Sequence, residues 1–237
     1  MAMPKKHTVI TNSIICCTLL VLGWFVFNLD LGHSYINTSA PLYNGSRDSH
    51  QIALMFVVDN NDDATNLPVI MQALENAQAN ATFFITGTTA LDNLGLVQEL
   101  GTKFELGNYG FTNQPLNIND KNTIAESITI CDNLVKAITG QQMTLFSPPD
   151  GLYNKNTLGM ADNLGYRTIL PTNRKVSIDW QNTDTNLVTS YATYDTQPGD
   201  IILLRPVTAT RQSIAKILAN YLSRDLTVTS VGHLLSA

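Results

Sequence analysis

Residues 51–61 read QIALMFVVDNN, and the structure this stretch adopts decides the rest of the chain. Ile52, Leu54 and Phe56 alternate with Ala53, Met55 and Val57, so an extended segment here is apolar on both faces. A strand of that kind is buried on two sides, as in a parallel sheet with helices over one face and a packed interior on the other. The apolar run stops at Asp59-Asn60-Asn61-Asp62-Asp63, which reads as a solvated turn.

Downstream of that turn the pattern changes period. Leu67, Ile70, Met71, Leu74 and Ala77 recur at helical spacing, with Pro68 expected in the first turn. Apolar strand-like segments follow at 82–85, 104–108, 143–146, 167–170, 201–204 and 227–230. Helices are predicted between them at 91–100, at 156–164 with Gly165 closing it, and at 211–223. A further helix is expected to open on a Thr123/Glu126 capping box and to close at Gly140. Repeated strand-then-helix units predict an α/β fold on a parallel sheet, and the pattern leaves open whether that sheet closes.

Upstream, Lys5 and Lys6 precede an apolar run whose core spans 14–27. At about 1.5 Å per residue such a helix crosses a bilayer core of roughly 30 Å. Lysines before the span place the N-terminus in the cytoplasm and the remainder outside. Residues 1–30 are therefore expected to be a cytoplasmic tip and uncleaved single-pass anchor in the cell membrane. Residues 31–50 are expected to be a polar stalk, and 51–237 the globular domain. Secretion after cleavage of a signal peptide is the alternative, against which Phe27-Asn28-Leu29-Asp30 makes a poor cleavage site.

Composition narrows the partners. Charged residues are 14% of the chain, against about 25% in an average domain. The net charge is −5 and the isoelectric point about 5.2, which disfavours nucleic acid because that partner needs a basic face. Three cysteines, two of them in the apolar run, make neither a disulfide framework nor a metal cluster. Cys131 falls on the stripe Ile124, Ile128, Cys131, Val135, Ile138 and is expected to pack in the core.

Met55-Phe56, followed by Ala81-Thr82-Phe83-Phe84-Ile85-Thr86-Gly87, resembles the polysaccharide deacetylase (NodB homology) family, whose first strand ends T-F-D-D-G and whose second begins A-T-F-F. The resemblance continues in order to the C-terminus. It implies a distorted (β/α) barrel with fewer strands than the usual eight, zinc or another divalent metal, and removal of acetyl groups from carbohydrate amines. Its chemical residues are replaced. Val57 stands for the catalytic base and Val58 for the metal-binding Asp. In residues 105–113, ELGNYGFTN, Tyr109 and Asn113 stand for the two metal-binding histidines. In 147–154, SPPDGLYN, Ser147 replaces an Arg and Asp150 a Tyr, while 176–180, VSIDW, lacks the leading Asp. In 199–205, GDIILLR, Arg205 replaces the proton-donating histidine. Val58 and Gly110 are similar to a sporulation-linked branch of the family, which implies a bacterial cell-wall context.

A count that needs no alignment agrees with this reading: the histidines are His7, His33, His50 and His233, so none lies between 50 and 233. A water-activating zinc site takes three N, O or S ligands. The resemblance therefore implies a degenerate member with no metal cofactor. Three functions compete. One is a pseudoenzyme that binds a cell-wall or exopolysaccharide glycan, or a membrane or cell-wall protein, through a cleft at Asp59, Tyr109, Asn113, Asp150, Tyr153, Asp179, Trp180 and Arg205. In it Tyr109, Phe111, Tyr153 and Trp180 are either sugar-stacking groups or packing residues. The second is an active carbohydrate N-deacetylase with a site rebuilt from Asp59, Asp62, Asp63, Asp150 and Asp179. The third is a structural partner without ligand.

Overall fold

The computed structural model describes residues 40–172, 175 and 184–236. Strand β1 (Gln51–Val58) organises them, with three parallel partners. Met55 lies opposite Thr82 of β2 (Thr82–Ile85), Ala53 opposite Ile201 of β6 (Ile201–Leu204), and Gln51 opposite Thr227 of β7 (Thr227–Thr229). With β3 (Glu105–Asn108), β4 (Leu145–Phe146) and β5 (Arg167–Thr168) they form a seven-stranded sheet in the order β5-β4-β3-β2-β1-β6, with β7 beside β1. The sheet is a curled half-barrel.

Side-chain alternation along β1 divides the core in two. Ile52, Leu54, Phe56 and Val58 enter a large outer cluster with apolar helix residues such as Leu67, Ile128 and Ile217. Ala53, Met55 and Val57 enter an inner cluster with Phe84, Tyr109, Leu145 and Ile169. Phe56 stacks on Phe83 in the outer layer with ring centroids 4.9 Å apart.

The helices are α1 (Asn61–Asn76), α2 (Gly87–Asp92), α3 (Leu94–Lys103), α4 (Lys121–Thr139), α5 (Lys155–Asn163), α6 (Thr185–Thr193), α7 (Thr208–Ser223) and the single turn α8 (Val231–Leu234). Three local expectations are corrected. The chain passes from β1 into α1 at Asn61, so the expected turn is a helix start, and Pro68 lies inside the helix rather than in its first turn. The single helix expected at 91–100 is two, α2 and α3. Asn93 breaks them with a non-helical backbone (φ −132°, ψ 44°), and its side-chain amide donates to the Thr89 carbonyl. Helix α4 opens on Asp120, not on a Thr123/Glu126 box. The Asp120 carboxylate accepts from the Asn122 N–H at 3.0 Å and from the Thr123 hydroxyl at 2.7 Å, so Thr123 is drawn into the carboxylate's cap. These bonds, the Thr123 hydroxyl foremost, hold the Asp120 carboxyl below its ordinary value. Gly140 closes α4 in the left-handed region at φ 75°.

The two ends of the strand order are joined by irregular chain. Leu42 bridges Ile169 just past β5, through Leu42 N–H to Thr168 O and Leu170 N–H to Leu42 O, both 2.9 Å. Asn44 bridges Asp200 just before β6, and the Gly45 N–H donates to Gly199 O at 2.8 Å. Arg47 reaches the buried Asp200 carboxylate at 2.6 Å. Thr172 N–H donates to Ile201 O at 2.9 Å, and Leu203 N–H to Lys175 O at 3.0 Å. Residues 40–50, expected to be the end of a stalk, are thus laid onto the barrel, and the globular unit begins ahead of Gln51. Edge strands leave backbone groups in want of partners, and this strap supplies them. The expected membrane span and the stalk up to residue 39 lie outside the described residues. Among the described residues no helix is long and apolar enough to cross a membrane. Cys131 is fully buried, donates to Ile85 O at 3.3 Å, and has its thiol pushed up to about 12 by burial. His233 is exposed in α8.

Candidate functional site

A cavity of about 970 Å³ opens beyond the C-terminal ends of β1, β3, β4 and β6. Loops after parallel strands gather at that end, which is why the separated motifs meet there. Of the residues singled out from sequence, Val57, Asp59, Tyr109, Asn113, Ser147, Asp150, Tyr153 and Arg205 all line it. Asp179 and Trp180 lie outside the described residues. Phe111 packs its ring against Gly87, where a Cβ would meet the Phe111 side chain at 2.6 Å, and so serves packing.

The structure separates the two valines. Val57 faces the cavity beside Met55, whereas Val58, one residue on, points into the outer apolar cluster with Leu67 and Ile85. A strand turns successive side chains to opposite faces, so the cavity-facing residue after Val57 is Asp59. Both Asp59 carboxylate oxygens lie 2.7 Å from Arg205 Nη1, which follows β6. The pair is well enclosed, with 5% of the Asp59 side chain and 19% of the Arg205 side chain exposed. Asn60 donates to the same carboxylate at 3.1 Å, and Asp150 lies 3.9 Å from Arg205 on its other side.

Tyr109 forms part of the cavity wall. Its ring is packed in the inner cluster, so it offers no open face for stacking, in contrast to the role considered for it from sequence. Its hydroxyl accepts the Asp150 N–H at 3.0 Å. Desolvation pushes the phenol up to about 12, so it is neutral at physiological pH. Asp150 sits in a short 3₁₀ turn with φ 56°, a left-handed conformation that Asp tolerates better than most residues, and the Tyr109 bond holds it there. The sign of the linkage is fixed: a phenol whose folded value is raised contributes stability that is present below pH 10 and lost as pH rises through about 12. Tyr109→Phe should accordingly flatten the loss of thermal stability between these pH values, measured against the parent.

The rim contains a residue that sequence reasoning missed. Tyr43 comes from the strap ahead of β1 and its hydroxyl lies 2.9 Å from that of Tyr153. No motif marks Tyr43, since it precedes the first strand. The Asp59–Arg205 pair had a legible signal: opposite charges just past two neighbouring strands.

Among the described residues the donors do not fit a catalytic zinc: those lining the cavity include no His or Cys, and no three of His, Cys, Asp and Glu come together as a metal site. The best-placed carboxylate, Asp59, is held against a guanidinium whose charge opposes a divalent cation at the same oxygens.

Residues 44–169 match the polysaccharide deacetylase family. The chain is 21% identical over 196 residues to the uncharacterised protein YlxY of Bacillus subtilis, covering 82% of this chain and 60% of that one. It is 28% identical over 193 residues to a peptidoglycan-N-acetylglucosamine deacetylase of Bacillus cereus, covering 78% of this chain and 87% of the relative. In fold it is similar to the crystal structure of a CE4 family pseudoenzyme from Bacillus anthracis, with a TM-score of 0.79 at 23% identity over 83% of this chain and 69% of that one. A mutant of that pseudoenzyme with restored enzymatic activity has a TM-score of 0.78. Fold, motif order and family match agree, and the chain belongs to the polysaccharide deacetylase family.

Proposed function

We propose that the chain is a non-hydrolytic member of its family that binds a cell-wall glycan in the 970 Å³ cavity. We further propose that an uncleaved N-terminal span holds it on the outer side of the cytoplasmic membrane. The observation that carries the first reading is the Asp59–Arg205 pair. Among the described residues, the carboxylate placed to act as a base or ligand at the end of β1, Asp59, is enclosed against a guanidinium. Both oxygens of that carboxylate are engaged by the guanidinium, so neither is presented to a water or a metal ion in the cavity. The Bacillus cereus relative, a peptidoglycan-N-acetylglucosamine deacetylase, supports a glycan as the ligand, and a pseudoenzyme of this fold supports loss of turnover.

The purified full chain is expected to retain no stoichiometric zinc, to release no acetate from N-acetylglucosamine oligomers or peptidoglycan, and to bind such glycans in calorimetry. Turnover abolished by a chelator would instead establish a rebuilt carboxylate site, with Asp59 the first residue to replace. Absence of glycan binding would leave the structural role. For the span, the mass of the membrane-extracted protein should correspond to an intact N-terminus. A mature chain starting near Asp30 or Pro41 would refute the anchor.

A further inference from the structure

The polar and apolar parts of the cavity are arranged unevenly. Met55, Val57 and Leu203 make an apolar wall, Asp59 and Arg205 an internally neutralised pair, and Tyr43 with Tyr153 an aromatic bridge at the rim. Tyr153 is 37% exposed, and the contact between the two hydroxyls is itself solvent-exposed. Such a bond contributes little to folding, because water replaces it at small cost. Yet the backbone that carries Tyr43 is tied on both sides. Leu42 is held by two bonds next to β5, the Tyr43 carbonyl accepts from the Thr172 hydroxyl at 2.6 Å, and Gly45 donates to Gly199. The strap therefore delivers one tyrosine to a fixed place over the cavity, opposite a second tyrosine from the loop after β4.

We propose that Tyr43 and Tyr153 act together as a clamp on one ring of the bound glycan, so that the segment ahead of β1 supplies half of the ligand-gripping rim. The inference rests on the glycan-binding reading of the cavity and adds the residues that grip. A pyranose is amphipathic: its C–H face packs on an aromatic ring while its hydroxyls need donors and acceptors. Tyrosine supplies both at low entropic cost. On entry of a sugar the two phenols exchange their mutual bond for bonds to its hydroxyls, with Asn113 and the half-exposed Asp150 on the same lip. An acidic sugar is disfavoured, since the charged lining groups Asp59, Asp150 and Arg205 sum to minus one.

The test is calorimetric titration of the full chain with a pentamer of N-acetylglucosamine and with an oligouronate of similar length. Tyr43→Ala and Tyr153→Ala should each weaken binding of the neutral oligomer by about tenfold or more, and the double variant by little beyond either, because residues acting as a unit are non-additive. Tyr43→Phe keeps the ring but loses the hydroxyl that bonds the sugar, so it should weaken binding by a few-fold, less than Tyr43→Ala. Oligouronate binding equal to that of the neutral pentamer would overturn the clamp for an uncharged ring. Parent-like affinity in both alanine variants, with a binding parent, would overturn the clamp alone. No binding by the parent would overturn both the clamp and the glycan-binding reading.

Discussion

Val58→Asp should cost the folded chain about 4 kcal/mol, and Val57→Asp, one residue earlier, about 1 to 2 kcal/mol. Both valines are about 1% exposed, and both stand where the family carries a carboxylate, so burial alone predicts equal costs. Their surroundings differ. Val58 sits in the outer cluster with Leu67, Ile70 and Ile85, where a carboxyl group loses its hydration and gains only apolar neighbours. Val57 lines the cavity, so a carboxyl group there extends into open space rather than into apolar neighbours. Desolvation raises the folded-state pKa of the buried Asp above its unfolded value near 3.9. The destabilisation therefore grows as pH rises from about 4 towards 7, and is smallest where the carboxyl is protonated in both states. Urea unfolding of both variants at about pH 4 and pH 7 checks this. Equal costs for the two variants would mean that the end of β1 rotates to bring both positions into the cavity.

Arg205→Met should destabilise the chain by about 3 kcal/mol, because it strands the Asp59 carboxylate in an enclosed position. That is the low end of the usual range for breaking a buried pair, chosen because about a fifth of the Arg205 side chain still meets solvent. Asp59→Asn alone should also destabilise, by removing the enclosed counter-charge of the guanidinium, which keeps Asp150 at 3.9 Å on its other side. The double variant should recover most of the loss, since neither member then buries an unmatched charge. The double-mutant cycle in denaturant gives the coupling directly. Additive single effects would show that Asp59 and Arg205 are not coupled in solution, which would leave Asp59 available as a base or ligand.

Much of the architecture is legible in the residues. Strand β1 announces itself by apolar character on both faces, β6 spans the expected residues, and Gly140 ends α4 where its left-handed backbone is needed. The errors have local causes. Asp120 competes with Thr123 for the same helix start, and a carboxylate accepts two bonds where a hydroxyl offers one weaker cap. At 91–100 the apolar spacing conceals the break that the Asn93 side chain makes. For the site, most motif positions converge on the cavity as their order suggests. Two things were not legible. The face of Val58 depends on where β1 stops, and a single residue of register decides between cavity and core. Tyr43 is placed by a strap whose partners, Ile169 and Asp200, are more than a hundred residues away, and no short-range pattern encodes such a contact.

The strap also sets the order in which the barrel yields to force. Tension entering at residue 40 meets the Leu42–Ile169 bridge first, then Asn44–Asp200 and the Arg47 ion pair, all before it reaches the eight residues of β1. These are isolated bonds, loaded and broken one after another, whereas β1 has three neighbouring strands that share a load. Tyr43 lies between the first two bridges, so a modest pull lifts it away from Tyr153 while the sheet remains folded. The barrel has a weak link in series with a strong one, and the weak link carries a wall of the cavity.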